Sequence, residues 1–201
     1  IYCCVRKYIP ISTAVLKFAT RILWHNPTLF LVYLIQTIIQ IGISIMFIIC
    51  IVFIFIINWS PAVFIYIILS FYWISYTVNY VLYLITAGVA AQWYFLDGTE
   101  YMPKMAVWAS MTTSFGSAAF AGFILAVIDI LENICDYALD SDATIIKCIA
   151  CIALCLLVLI RCCVSFVTDY ALIYCAMFGI PFLEGCKRWL ELLVQLLEHA
   201  L

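Results

Sequence analysis

A row of tyrosines is the part of this sequence whose residue type and spacing most clearly predict chemistry. Tyr72, Tyr76, Tyr80 and Tyr83 recur at intervals of four, four and three residues. On a helix they form one strip about 16 Å long. Aromatic faces attract a cation that lies within about 6 Å of the ring centre. With no cationic side chain nearby in the sequence, we expect the strip to suit a small organic cation.

Amide side chains accompany this tyrosine strip. Asn79 lies on the same helical arc, and Gln36 and Gln40 share a polar face of the preceding apolar segment. Polar groups at membrane depth normally face a bundle interior or a wet cavity. Two interpretations stay open. Either the strip lines a solute pathway with Gln36 and Gln40 opposite it, or these groups pack two helices together with each hydroxyl bonded to a neighbour.

Three acidic residues follow at helical spacing. Asp129, Glu132 and Asp136 stand at positions i, i+3 and i+7 near the end of a long apolar run. At the outer end of a helix they would raise the local concentration of a cation. We therefore predict an outer cation vestibule, with a solvated helix end as the alternative.

Cysteine and histidine give little sign of metal or covalent chemistry. Five of the eleven cysteines fall in one stretch: Cys148, Cys151, Cys155, Cys162 and Cys163. On a helix they are spread over more than 20 Å, too far to ligate one ion, so we expect a packing face and no metal site. The chain has two histidines and no catalytic or nucleotide-binding fingerprint. We therefore predict no enzymatic activity and no cofactor.

The amino-acid composition indicates which kind of secondary structure carries these side chains. Of 201 residues, 69% are hydrophobic and 10% are charged, whereas a soluble domain is about half apolar and a quarter charged. The formal net charge of −2 gives no reason to expect a nucleic-acid partner. The apolar runs are continuous rather than alternating, which disfavours a barrel. The prediction is an all-α, polytopic helical membrane protein whose main partner is the lipid bilayer.

The apolar runs and turn signals divide the chain, which we interpret as one membrane domain and a fragment of a longer protein. About four transmembrane spans and flanking interfacial amphipathic helices are expected. The segments are an interfacial helix at 11–24, span a at 28–57, span b at 62–96, span c with its outer extension at 105–137, span d with a cytosolic extension at 144–183, and an amphipathic helix at 184–199.

Lysine and arginine predict the orientation. With the N-terminal side in the cytosol, eight of the nine basic residues lie on the cytosolic side, and the acidic stretch 136–142 lies outside. The helix of span d is then expected to leave the bilayer near Arg161. In span c, Gly116, Ser117 and Gly122 predict close contact with a neighbouring helix.

Several blocks resemble the choline transporter-like family. Their order and spacing hold from about residue 11 to 195. The blocks are Trp73-Ile74-Ser75 followed by the run 86–95 (TAGVAAQWYF), the run 115–120 (FGSAAF), the Cys-rich stretch 148–163, and the run 169–182 (DYALIYCAMFGIPF) followed by Cys186-Lys187.

The resemblance implies a solute carrier with about ten spans and cytosolic termini, in the plasma membrane or an organelle membrane. This chain would match its fifth to eighth spans, and the remaining spans would be its partners. The implied substrate is choline or a related small organic cation. The alternative is a structural or scaffold membrane protein that descends from such a carrier but does not transport.

Overall fold

The structure is a computed structural model that describes residues 9–57, 60–95, 103–139 and 144–200. All the regular secondary structure in these ranges is helical. We number the helices α1 (Ile9–His25), α2 (Pro27–Ile57), α3 (Pro61–Phe95), α4 (Pro103–Thr112), α5 (Phe115–Leu139), α6 (Thr144–Phe178) and α7 (Phe182–Ala200). The predicted end of span b at residue 96, the residues from there to 102 between spans b and c, and residues 140–142 of the acidic stretch lie outside the described residues.

Four of the described helices are long and apolar enough to cross a bilayer: α2, α3 from Ala62 onward, α5 and α6. A membrane span needs about 20 apolar residues. The shortest of the four, α5, has 25 residues, and α3 and α6 have 35 each. The predicted all-α, multi-pass membrane architecture is confirmed.

Helix α3 is the centre of the bundle. It contacts α2, α4, α5 and α6, and Leu84 and Val89 on its second half are fully buried. Small side chains allow the neighbours to approach, since Ala118 and Ala121 of α5 and Ala171 of α6 are also fully buried. The side chains that α3 carries are therefore positioned by four other helices at once.

The prediction of a single helix over 105–137 is wrong, because the helix is interrupted at Thr113 and Ser114. The backbone N–H groups of both residues bond to the carbonyl of Ala109, at 2.9 and 3.0 Å, which closes α4. The carbonyl of Ser114 then accepts the first bond of α5, from Ala118 N at 3.1 Å. Serine is a favoured residue at a helix start. The membrane-length helix is thus Phe115–Leu139 and does not begin at the predicted residue 105.

The helix predicted to run to residue 183 ends earlier, at Phe178. Gly179 adopts a φ of 65°, and its N–H bonds to the carbonyl of Cys175 at 2.9 Å. Glycine populates this left-handed region at no steric cost and commonly follows the last helical residue. Pro181 cannot continue a helix but precedes a new one, so α7 begins at Phe182.

Helix α7 folds back against the second half of α6. The rings of Tyr170 and Trp189 are stacked, with centroids 4.0 Å apart and an interplanar angle of 7°. A Cβ atom on Gly185 would lie 2.8 Å from the carbonyl oxygen of Ala171, so the contact requires glycine. Burial at this contact raises the pKa of the Cys186 thiol, which keeps it protonated at neutral pH.

Candidate functional site

A charged cluster joins three helices beside the tyrosine strip. The Tyr76 hydroxyl of α3 donates a hydrogen bond to Asp129 Oδ2 of α5 at 2.5 Å. Arg161 Nη2 of α6 lies 3.0 Å from Asp129 Oδ1 and donates to the Tyr76 hydroxyl at 3.2 Å. Arg161 Nη1 donates to Glu132 Oε2 at 2.7 Å. One guanidinium therefore forms ion pairs with two carboxylates and donates a hydrogen bond to a phenol hydroxyl.

This cluster lies well inside the helices that build it. Tyr76 is the sixteenth of 35 residues in α3, and Arg161 is the eighteenth of 35 in α6. Asp129 stands ten residues before the end of α5, about 15 Å along the axis. We predicted an outer position for Asp129 and Glu132 and a cytosolic exit at Arg161. That assignment to opposite sides is wrong, because atoms 3.0 Å apart share one depth in the membrane.

The expectation that no cationic side chain stands beside the tyrosines is also wrong. Arg161 is 85 residues away from Tyr76 in the chain, so only the helix packing brings it there. The third member of the predicted vestibule, Asp136, is exposed and forms no ion pair with any other described residue. The vestibule itself stays a prediction, now without Asp136 in the cluster.

The four tyrosines occupy one face of α3 and meet α5 and α6. The rings of Tyr76 and Tyr80 are stacked, with centroids 6.2 Å apart. Tyr80 is 8% exposed, and Tyr83 is half-buried against the same core. Tyr72 accepts a hydrogen bond from Asn133 Nδ2 at 3.3 Å.

The predicted amide residues lie on a different face, between α2 and α3. Gln36 Nε2 donates to Asn79 Oδ1 at 2.7 Å, and Gln40 Nε2 donates to Ser75 Oγ at 3.0 Å. The hydroxyls of Tyr33 and Thr86 are 3.2 Å apart. These three pairs form a polar ladder that joins two antiparallel helices. Gln36, Gln40 and Asn79 are therefore bonded to each other's helices and not placed opposite the tyrosines.

Gly122 brings α5 against the tyrosine face. A Cβ atom at this position would lie 3.0 Å from Thr77 N and 3.1 Å from Tyr76 Cβ. Trp73 Nε1 also donates to the carbonyl of Ala119 at 2.9 Å. Gly116, by contrast, would meet nothing within 4 Å. The predicted close contact of this helix thus depends on Gly122, and the same contact fixes the backbone from which Tyr76 reaches Asp129.

Two carboxylate oxygens in the cluster lack hydrogen-bond donors. Asp129 Oδ1 and Glu132 Oε1 are buried and receive no hydrogen bond, although the first lies within ion-pair distance of Arg161. A cavity of about 510 Å³ between α3 and α5 reaches Asn133, one turn beyond Asp129, and is lined mainly by apolar side chains such as Phe64 and Tyr137. The arrangement is suited to holding a positive charge.

The Cys-rich stretch, which we predicted to be a packing face, lies on α6. No group of three or more possible ligands stands together in the part of the chain that the structure describes. The five cysteines of α6 from Cys148 to Cys163 are exposed on the surface of this bundle.

Comparison with known proteins gives the family. A family profile described as plasma-membrane choline transporter matches residues 1–200, nearly the whole chain. The chain belongs to the choline transporter-like family. This confirms the resemblance drawn from the four sequence blocks and places the chain in a family of membrane transporters.

Individual relatives of this choline transporter-like chain are distant. A CTL-like protein of Dictyostelium discoideum is 29% identical over 61% of the chain, and a Protein PNS1 of Gibberella zeae is 31% identical over 59%. A Protein PNS1 of Eremothecium gossypii is 23% identical over 93%. The matched regions make up 23%, 23% and 39% of these relatives. The chain therefore spans well under half the length of the curated relatives it matches.

Proposed function

We propose that the full-length protein to which this chain belongs transports choline or a related small organic cation across a membrane. The observation that supports the proposal is the cluster on α3, α5 and α6. In a chain of the choline transporter-like family, two carboxylates and a pair of stacked tyrosine rings stand together inside a bundle of membrane-length helices.

The chemistry of a quaternary ammonium favours such a site. Its charge is permanent, and entry into a medium of low dielectric constant is costly unless opposite charge is already present. Asp129 and Glu132 supply that charge, and the faces of Tyr76 and Tyr80 add about 0.5–2 kcal/mol per ring. Contacts of this strength bind the cation and still allow its release. Transport then needs alternating access and no covalent step.

A second candidate is a structural or scaffold membrane protein that does not transport. The ladder between α2 and α3 favours it, because Gln36, Gln40 and Asn79 are bonded to one another's helices as packing requires. The hydroxyl of Tyr76 is likewise bonded within the protein. On this account the tyrosine strip only holds α3 against α5 and α6.

Uptake by the purified full-length protein separates the two candidates. We would reconstitute it in liposomes and measure radiolabelled choline uptake with and without excess tetramethylammonium. Transport predicts saturable uptake that tetramethylammonium inhibits and that an equal concentration of glucose does not. Uptake no greater than in protein-free liposomes would contradict the proposal and favour the structural candidate.

A further inference from the structure

We infer that Asp129 and Glu132 bind the positive charge of the transported cation, and that Arg161 is a tethered cation that occupies this site when the substrate is absent. The inference rests on the proposed function and gives it a site. It also gives Arg161 a role as competitor.

The first argument is the balance of charge. Two carboxylates face one guanidinium, so the formal charge of the cluster is −1. Such an excess inside membrane helices is costly, and a bound cation reduces that cost.

The second argument concerns individual oxygen atoms. The Asp129 side chain is 8% exposed and that of Glu132 is 12% exposed, yet Asp129 Oδ1 and Glu132 Oε1 receive no hydrogen bond. Buried carboxylate oxygens are normally satisfied. Arg161 therefore satisfies the two carboxylates only in part, although its Nη2 lies 3.0 Å from Asp129 Oδ1.

The third argument is access. The Arg161 side chain is 43% exposed, so it forms the open side of the cluster and can move outward while the two carboxylates stay in place. The cavity between α3 and α5 reaches Asn133, which donates to the backbone carbonyl of Asp129 at 2.8 Å. Neither carboxylate lines this cavity, so the open side of the cluster is the one that the Arg161 side chain covers.

If Arg161 is a tethered competitor, its removal should change the affinity for the cation in a defined direction. A group that occupies a binding site in the empty protein lowers the apparent affinity of the ligand that must displace it. Removing Arg161 should therefore tighten cation binding, whereas removing a carboxylate should weaken it. A purely structural ion pair predicts the same loss for either change, because each leaves a buried charge without its partner.

The experiment measures choline binding to the purified full-length protein in detergent. The melting temperature is recorded at increasing choline chloride concentrations, and the concentration that gives half-maximal stabilisation is compared between variants. Sodium chloride keeps the ionic strength constant. We expect Arg161→Gln to lower this concentration about tenfold and Glu132→Gln to raise it about tenfold, each equivalent to about 1.4 kcal/mol. The control Glu191→Gln, an exposed acid on α7, should leave it unchanged. Weaker or unchanged binding in Arg161→Gln would overturn the inference.

Two further measurements keep the outcome decisive. If Arg161→Gln does not fold, the double variant Arg161→Gln with Asp129→Asn restores the original net charge and should bind choline at least as tightly as the wild type; weaker binding would overturn the inference. If the wild type does not bind choline, the proposed function fails, and tetramethylammonium chloride becomes the probe of the site. Equal stabilisation of wild type and Arg161→Gln by tetramethylammonium would then overturn the site as well.

Discussion

Arg161 Nη1 donates a hydrogen bond to Glu132 Oε2 across 2.7 Å, so a charge near the centre of α6 is neutralised by a charge on α5. The same guanidinium reaches Asp129 and, through its second terminal nitrogen, the hydroxyl of Tyr76. These contacts connect the only acidic pair inside the described bundle to the tyrosine strip. The cluster thus depends on a planar group with several donors.

Arginine at position 161 should not be replaceable by lysine. A lysine ammonium is a compact point charge and lacks the planar set of N–H donors with which Arg161 contacts Glu132, Asp129 and Tyr76 together. We expect Arg161→Lys to lower the melting temperature of the purified full-length protein. The control Arg188→Lys changes an exposed pair with Glu184 and should have little effect, since such pairs contribute about 0–1 kcal/mol. Equal melting temperatures for the wild type and both variants would show that the guanidinium group of Arg161 is not needed.

Gly122 and Gly116 form a matched pair on one helix. Gly122→Ala should destabilise the protein by about 1–3 kcal/mol, because the new methyl group would lie only 3.0 Å from the backbone nitrogen of Thr77 and 3.1 Å from Tyr76 Cβ. Gly116→Ala should be neutral or slightly stabilising, since the space is open and alanine favours a helix. Thermal unfolding of the two variants of the full-length protein checks this. If Gly116→Ala proved the more harmful, the α3–α5 contact described here would be wrong.

The amide pair of the polar ladder should show energetic coupling. In a double-mutant cycle with Gln36→Leu and Asn79→Leu, we expect a coupling of about 0.6 kcal/mol, the average for interhelical hydrogen bonds in membranes. Unfolding of the full-length protein in micelles of increasing sodium dodecyl sulfate would measure it. Additive effects, with no coupling, would indicate that the two amides do not bond. Choline affinity should change little, because the ladder lies on another face from Tyr76.

Docking of α7 should depend on Gly185. A methyl group there would lie 2.8 Å from the carbonyl oxygen of Ala171, so Gly185→Ala should push α7 away from α6. We expect faster amide hydrogen exchange in α7 of the full-length protein. Gly42→Ala is the control, since a Cβ atom there meets nothing within 4 Å. Unchanged exchange in Gly185→Ala would mean that α7 adapts without leaving α6.

The fold class could be predicted from the sequence because it depends on local composition. Uninterrupted apolar runs allow no alternative to membrane helices. The break at Thr113 and Ser114 could not, because both residues also occur within membrane helices and no glycine or proline marks the point. The end of α6 had a usable signal in Gly179 and Pro181, but the continuing apolar pattern outweighed it in the sequence interpretation.

The candidate site was only partly predictable. The strip from Tyr72 to Tyr83 follows from helical periodicity alone, as does the grouping of Asp129 with Glu132. Their connection through Arg161 depends on contacts between residues 29 and 85 positions apart, which no local pattern encodes. The one usable signal was the presence of Arg161 inside a long apolar run, since an ionisable residue there normally has a partner.

Tyr80 offers the most direct test of whether the tyrosine strip serves transport. Its ring stacks on Tyr76, and none of the hydrogen bonds of the charged cluster involves Tyr80. We would measure choline uptake and surface abundance together for Tyr80→Phe and Tyr80→Ala in the full-length protein. The account predicts that Tyr80→Phe keeps most of the uptake, because the aromatic face is retained. It predicts that Tyr80→Ala lowers the apparent affinity for choline about tenfold, a loss of about 1.4 kcal/mol, at similar surface abundance. Normal affinity and uptake in Tyr80→Ala at normal abundance would contradict it.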